Sequence, residues 1–313
     1  MIPRKIVGLT LAAVIVAISF TNVCAQTASQ IFANGQENFK AKRYDAAIAD
    51  FRKYIAMAGE DSGAYFNIGL AYYLSSRYTD AIYAFQSSAR LKPDNAKTHR
   101  YMAASHYELK NYDSAATSYQ NCTKYDPNNE DCWVYLGNSL DYQAKYNEAI
   151  AAYMKAVEVN PKNHLAFAEI GVAHHRQKNY PAAIEALNKS LAIKSDYAFS
   201  HRSLGNVYYA QANYTQAIAS YKRAATLAPE DKVNFKLLGD GYYQTKQWAL
   251  SEQNYLKAIE LDPKYANAMF WLGSAYVVQK KFALAKTQYN ELLPIDKTLA
   301  ADLWTKYTAA GGK

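Results

Sequence analysis

Six histidines and the cysteine pair Cys122 and Cys132 are the side chains whose types could carry metal or nucleophilic chemistry in this chain. The histidines are His99, His106, His164, His174, His175 and His201. His174 and His175 are neighbours, so on a helix they point to different faces and cannot easily share one metal ion. No HExxH, GxSxG or glycine-rich phosphate loop occurs, and the carboxylates are scattered without a recognisable pair. Cys122 and Cys132 lie ten residues apart and form no CxxC motif. Two readings fit them: a disulfide in an oxidising compartment, or two small buried thiols. The expectation is a protein that is not an enzyme and that carries no cofactor and no metal.

Composition narrows the class further. The chain has 313 residues, of which 29 are Tyr, 13 Gly and 8 Pro. So little glycine excludes collagen-like, linker-like and turn-rich β architectures. Hydrophobic residues at 50% and charged residues at 20% suit a folded chain, not a disordered one. Residues 1–25 have the pattern of a bacterial secretory signal: Arg4 and Lys5, the apolar run Ile6–Phe20, then Val23-Cys24-Ala25 before Gln26. The run is shorter than the ~20 residues of a spanning helix. Cleavage after Ala25 predicts an exported protein, periplasmic or extracellular, with outer-membrane association open. Lipid on Cys24 or an uncleaved anchor are the competing readings. Without residues 1–25 the net charge of +8 falls to +6, because only Arg4 and Lys5 are lost. Such a mild charge permits association with a membrane or cell wall and does not call for nucleic acid.

The elements that must position any site repeat along the chain. Pro93, Pro127 and Pro161 are 34 residues apart, and Pro229 and Pro263 keep that register. With Ala28 as position 1, eight ungapped units follow: 28–61, 62–95, 96–129, 130–163, 164–197, 198–231, 232–265 and 266–299. Position 8 is Gly in seven of the eight, and position 17 is aromatic in all of them. Position 20 is Ala in seven, and position 24 is aromatic in seven. Apolar residues at positions 4, 7 and 11, and again at 20, 24, 27 and 30, describe two amphipathic helices per unit. Glycine inside a helix costs ~1 kcal/mol relative to Ala, so its recurrence at position 8 implies a close approach of the two backbones. Asp61, Asn95, Asn129, Asn163 and Asp231 at position 34 predict N-caps of the first helices. Asp45, Thr79, Asp113, Asn147 and Thr215 at position 18 predict N-caps of the second. Proline at position 32 ends the second helix in five of the eight units.

The 34-residue period, and Trp133-Val134-Tyr135-Leu136-Gly137 in the fourth unit, resemble the tetratricopeptide repeat family. The resemblance covers residues 28–299 and implies an all-α, right-handed superhelical solenoid of helix-turn-helix repeats with a concave groove. Leu299, Leu303 and Tyr307 form an apolar stripe that predicts a C-terminal capping helix and tail in residues 300–313. Asn34 and Asn38 suit a polar cap at the other end.

In such a fold, positions 2, 5, 9, 12 and 13 of the first helices face the groove. They hold Tyr73; Arg100 and Tyr107; Asn138, Asp141 and Tyr142; His175 and Arg176; Arg202, Asn206 and Tyr209; and Lys236, Asp240 and Tyr243. Tyrosine supplies broad faces at low entropy cost and arginine supplies bidentate pairing, so this set fits a protein or peptide partner. One branch of the family grips acidic chaperone tails through basic and Asn residues. Here Arg202 and Asn206 supply half of that pattern and Leu237 stands where the next Asn belongs, which argues against it. The leading expectation is an exported protein-interaction scaffold in envelope assembly or secretion. The alternative is a glycan- or small-ligand-binding cell-wall sensor, because Tyr-rich grooves also stack sugar rings.

Overall fold

The structure is a computed structural model that describes residues 27–313; the signal-peptide segment and Cys24 lie outside them. The described residues form 17 helices and no strand. They fall into two compact units that divide between Val159 and Asn160. The first holds α1 (27–40), α2 (Tyr44–Ala58), α3 (Ser62–Leu74), α4 (Tyr78–Leu91), α5 (Ala96–Glu108), α6 (Tyr112–Tyr125), α7 (Glu130–Tyr142) and α8 (Tyr146–Val159). The second holds α9 (His164–Arg176), α10 (Tyr180–Ile193), α11 (Ala198–Ala210), α12 (Tyr214–Leu227), α13 (Lys232–Gln244), α14 (Trp248–Leu261), α15 (Ala266–Val278), α16 (Phe282–Leu292) and α17 (Lys297–Ala309). Within each unit every helix packs on the next, pair upon pair, which is the repeat-solenoid class.

In six of the eight repeats the core is one wedge. The position-24 side chain lies against the position-8 glycine, as in Phe51 on Gly35, Phe85 on Gly69, Tyr153 on Gly137, Tyr221 on Gly205 and Tyr255 on Gly239. A Cβ on these glycines would come within 2.4–2.8 Å of the ring. Those five rings are at most 1% exposed. The last repeat differs. Gly273 meets Leu303 of α17 instead of Tyr289, and Tyr289 packs on Trp304 with centroids 4.7 Å apart. Asp296 caps α17 through the backbone N–H groups of Thr298 and Leu299, so the capping helix starts at Lys297 and takes the last residues of the 34-residue register.

The position-34 caps form as the spacing predicts: the side chains of Asp61, Asn95, Asn129, Asn163 and Asp231 each accept a backbone N–H. The position-18 caps do not. The second helices begin at position 17, so Asp45 and Asp113 sit inside the first turn. The cap is position 16, where only Asn111 and Asn213 accept a backbone N–H through the side chain. The cause is the residue before it. Position 15 is left-handed in all eight repeats, with φ of 57–60° at Lys42, Ser76, Lys110, Ala144, Lys178, Ala212, Lys246 and Lys280. That residue turns the chain within one step and brings position 16 to the cap.

None of these eight is glycine, although a side chain in this conformation costs roughly 1 kcal/mol or more. Lys246→Gly is therefore expected to stabilise the protein by about 1 kcal/mol, while Lys246→Ala leaves stability unchanged. Urea midpoints of the two variants decide it; a loss of stability in the glycine variant would refute the strain.

Candidate functional site

The first helices of the repeats supply two aromatic surfaces, one in each unit. Their organising contact lies inside each repeat, where position 12 at the end of the first helix meets position 17 at the start of the second. Tyr73 packs on Tyr78, Tyr107 on Tyr112, His175 on Tyr180, Tyr209 on Tyr214 and Tyr243 on Trp248, with centroids 5.3–6.0 Å apart. Three position-12 rings also touch position 6 of the following repeat: Tyr73 on Tyr101, Tyr107 on Tyr135 and Tyr243 on Trp271, at 5.4–6.1 Å. Tyr101, Tyr135 and Trp271 lie outside the groove positions that the repeat register predicts. Their signal is an aromatic pair 28 residues apart, one period less the six residues between positions 6 and 12.

In the first unit these contacts gather Tyr107, Tyr112, Tyr135 and Tyr142 into one aromatic cluster, with Tyr73 and Tyr101 packed together at the repeat junction before it. Tyr142 lies flat on Tyr112, with centroids 4.4 Å apart and planes 5° from parallel, and remains 57% exposed; Tyr135 is 42% exposed. Arg100 sits over Tyr101 at 5.5 Å and pairs with Asp131 at 3.4 Å. Burial pushes the Tyr73 hydroxyl above its ordinary range. It stays protonated at neutral pH.

The polar candidates are mostly engaged within the protein. Tyr153 donates its hydroxyl proton to Asn138 Oδ1 at 2.8 Å, and Tyr221 does the same to Asn206 Oδ1 at 2.9 Å. Tyr255 donates to Asp240 Oδ1 at 2.9 Å. Position 9 thus supplies the acceptor for the buried position-24 phenol. Arg202 pairs with Asp231 at 2.5 Å, and Lys236 donates to Asp240 Oδ2 at 2.7 Å. Asp240 is deeply placed, and desolvation raises its pKa despite the Lys236 ammonium. Asp141 is buried, so it does not present its carboxylate to solvent as the spacing predicts. The ring of His175 is half-buried, and desolvation lowers its pKa.

Profiles of the tetratricopeptide repeat match residues 32–96, 96–129, 136–198, 198–231 and 239–280. The chain belongs to the tetratricopeptide repeat family. No curated protein matches it in sequence. Its fold is similar to a chain in the crystal structure of the APC/C hetero-tetramer Cut9-Hcn1, with a TM-score of 0.61 and 19% identity. That similarity covers 88% of this chain and 55% of the other, so this repeat protein spans about half of that neighbour. The C-terminal part of a TPR repeat-containing protein from Cytophaga hutchinsonii gives a TM-score of 0.58 at 20% identity, over 76% of this chain and 98% of that one. Pseudomonas aeruginosa pilF gives 0.55 at 19%, over 66% and 94%. At these identities the likeness is one of fold.

The other surface of this tetratricopeptide repeat protein lies in the second unit. Tyr209, Tyr243 and Trp271 line it beside the Lys236–Asp240 pair, and Gln244 Nε2 donates to the Tyr209 hydroxyl at 2.9 Å. Arg176 is exposed at the end of α9. The histidines at position 4 also have a role that the pattern did not show. His99 Nε2 donates to the Pro93 carbonyl at 2.7 Å and His201 Nε2 to the Ser195 carbonyl at 3.0 Å, while Trp133 Nε1 donates to the Pro127 carbonyl at 2.9 Å. A ring N–H at position 4 thus clips the loop that ends the previous repeat. Cys122 and Cys132 are joined by a disulfide between α6 and α7, and both are fully buried.

Proposed function

We propose that this protein is an exported, non-enzymatic scaffold of the cell envelope. It holds an extended peptide or partner protein against the aromatic surface of its repeats, in envelope assembly or secretion. The observation that carries this reading is the exposed tyrosine cluster of the first unit. Asn138, Asn206, Arg202 and Lys236 are bound to neighbours, whereas Tyr135 and Tyr142 keep large open faces on rigid, packed rings. Preordered tyrosines lose little entropy on binding and are enriched among the residues that dominate interfaces. Recognition would therefore rest on aromatic contact more than on charge. The basic start, apolar run and Val23-Cys24-Ala25 of residues 1–25 support export, and a Cys122–Cys132 disulfide fits an oxidising compartment.

Affinity capture from envelope fractions tests this. Tyr135→Ala combined with Tyr142→Ala is expected to weaken capture of a protein partner at least about tenfold, at ~1.4 kcal/mol per decade. Tyr83→Ala, on the second helix of its repeat and also exposed, is expected to leave it unchanged. Equal effects of both variants would refute the aromatic surface. Retention of purified wall polymer in the absence of protein would favour a glycan ligand on the same rings.

A further inference from the structure

The four tight turns of residues 160–313 share one edge of their repeats. The segments 176–182, 210–216, 244–250 and 278–284 contain Arg176, Lys178, Lys246, Lys280 and Lys281, and no Asp or Glu. The opposite ends of the same helices are close to neutral. They hold Asp196, Glu230, Asp231, Glu260, Asp262 and Asp296 against Lys162, Lys194, Lys232, Lys264 and Lys297. Unopposed positive charge is therefore concentrated on the turn edge of this unit. Lys178, Lys246 and Lys280 are exposed at the tips of their turns, in the left-handed conformation that glycine would adopt more easily. None of the three is paired with a carboxylate among the described residues.

The last two turns also carry exposed aliphatic side chains. Leu250 is 39% exposed, Val278 47% and Leu284 48%. These turns are held together: Lys281 Nζ pairs with Glu252 Oε1 at 2.6 Å, and Gln279 bonds the same carboxylate. That contact neutralises Glu252 and sets the 278–281 turn against the start of α14. A soluble polyanion would engage the lysines and gain nothing from the leucines. A bilayer surface takes both, since phosphates meet the ammonium groups and the aliphatic tips enter the boundary of headgroups and acyl chains. No helix of the described residues is long and apolar enough to cross a membrane, so any contact through them is peripheral.

We propose that this turn edge of residues 160–313 docks on an anionic phospholipid bilayer. Lys178, Lys246 and Lys280 meet the headgroups, and Leu250, Val278 and Leu284 insert. The proposal does not depend on partner binding by the tyrosine surface.

Amine acetylation of the full chain, read residue by residue by mass spectrometry, tests it with phosphatidylglycerol-containing vesicles and with pure phosphatidylcholine vesicles. The anionic vesicles are expected to slow acetylation of Lys178, Lys246 and Lys280 roughly fivefold or more, the gain of one lysine near an anionic leaflet. Lys194, Lys264 and Lys297 on the opposite edge keep their rates. The L250S/V278S/L284S variant is expected to lose the protection while keeping its helical circular dichroism. Equal slowing on both edges, as attachment through residues 1–26 alone would give, overturns the proposal. So does an absence of slowing. Protection that survives in the triple variant and is matched by polyphosphate would mean a soluble polyanion instead, and also overturns it.

Discussion

Gly205→Ala is expected to destabilise the protein by about 2 kcal/mol, yet to stabilise it by about 1 kcal/mol once Tyr221 is also changed to Ala. The reversal follows from the wedge. A Cβ at Gly205 would lie 2.5 Å from Cδ1 and Cε1 of Tyr221. That ring is 1% exposed, and its hydroxyl is tied to Asn206, so it cannot swing aside without breaking a part-buried hydrogen bond. The overpacking cost of about 1–3 kcal/mol then falls near its upper end and exceeds the ~1 kcal/mol that Ala gains over Gly in a helix. Tyr221→Ala alone should cost about 3–5 kcal/mol. With the ring gone, only the helix preference of Ala remains. A double-mutant cycle from urea unfolding would give a coupling of about 3 kcal/mol. Additive effects would show that the glycine is not there for the ring.

The second large effect concerns the junction between the third and fourth repeats. Reducing the Cys122–Cys132 disulfide is expected to lower stability by about 3 kcal/mol, the chain-entropy value for so short a loop. Equivalent positions show what would replace it. Position 27 of one repeat faces position 3 of the next, ten residues on. Ser190 bonds Ser200 there at 2.7 Å, and Ser88 meets Thr98 at 3.2 Å. Cys122→Ser with Cys132→Ser should therefore recover about 1 kcal/mol of the loss, one buried hydrogen bond. Cys122→Ser alone leaves one buried hydroxyl facing a thiol and should do worse than the pair. Thermal unfolding of the oxidised, reduced and variant proteins orders the four. Two thiols that titrate in denaturant before any reductant is added would refute the bond.

What could be read from the chain was whatever recurs inside one repeat. The glycine at position 8, the ring at position 24, the caps at position 34 and the proline at position 32 each stand in a column, and each has one local cause. Contacts between repeats were harder to see. The Tyr107–Tyr135 and Tyr243–Trp271 pairs join positions 12 and 6 across a junction, so neither column stands out alone. Asn206 and Asp240 looked like ligand groups because polar residues on a helix face usually meet solvent. Only the position of the Tyr221 and Tyr255 hydroxyls shows that they serve the core. Position 15 carried no signal, since Lys, Ala and Ser do not announce a left-handed turn. Its conformation is imposed by the packing of the two helices on either side, and it displaced the expected caps by two residues.

The junction pairs bear on how such an array can change. Ser88 finds Thr98, Ser190 finds Ser200 and Cys122 finds Cys132, so these three interfaces carry a matched pair, whereas Ala258 and Ala268 fill the same positions further on. Excising residues 130–163 would keep the 34-residue register intact, yet it would bring Ala166 opposite Cys122 and strand a thiol. Doubling that segment would meet the same mismatch on one side. At these junctions the repeats share a fold but not an interface, and their order there is therefore part of what the sequence encodes.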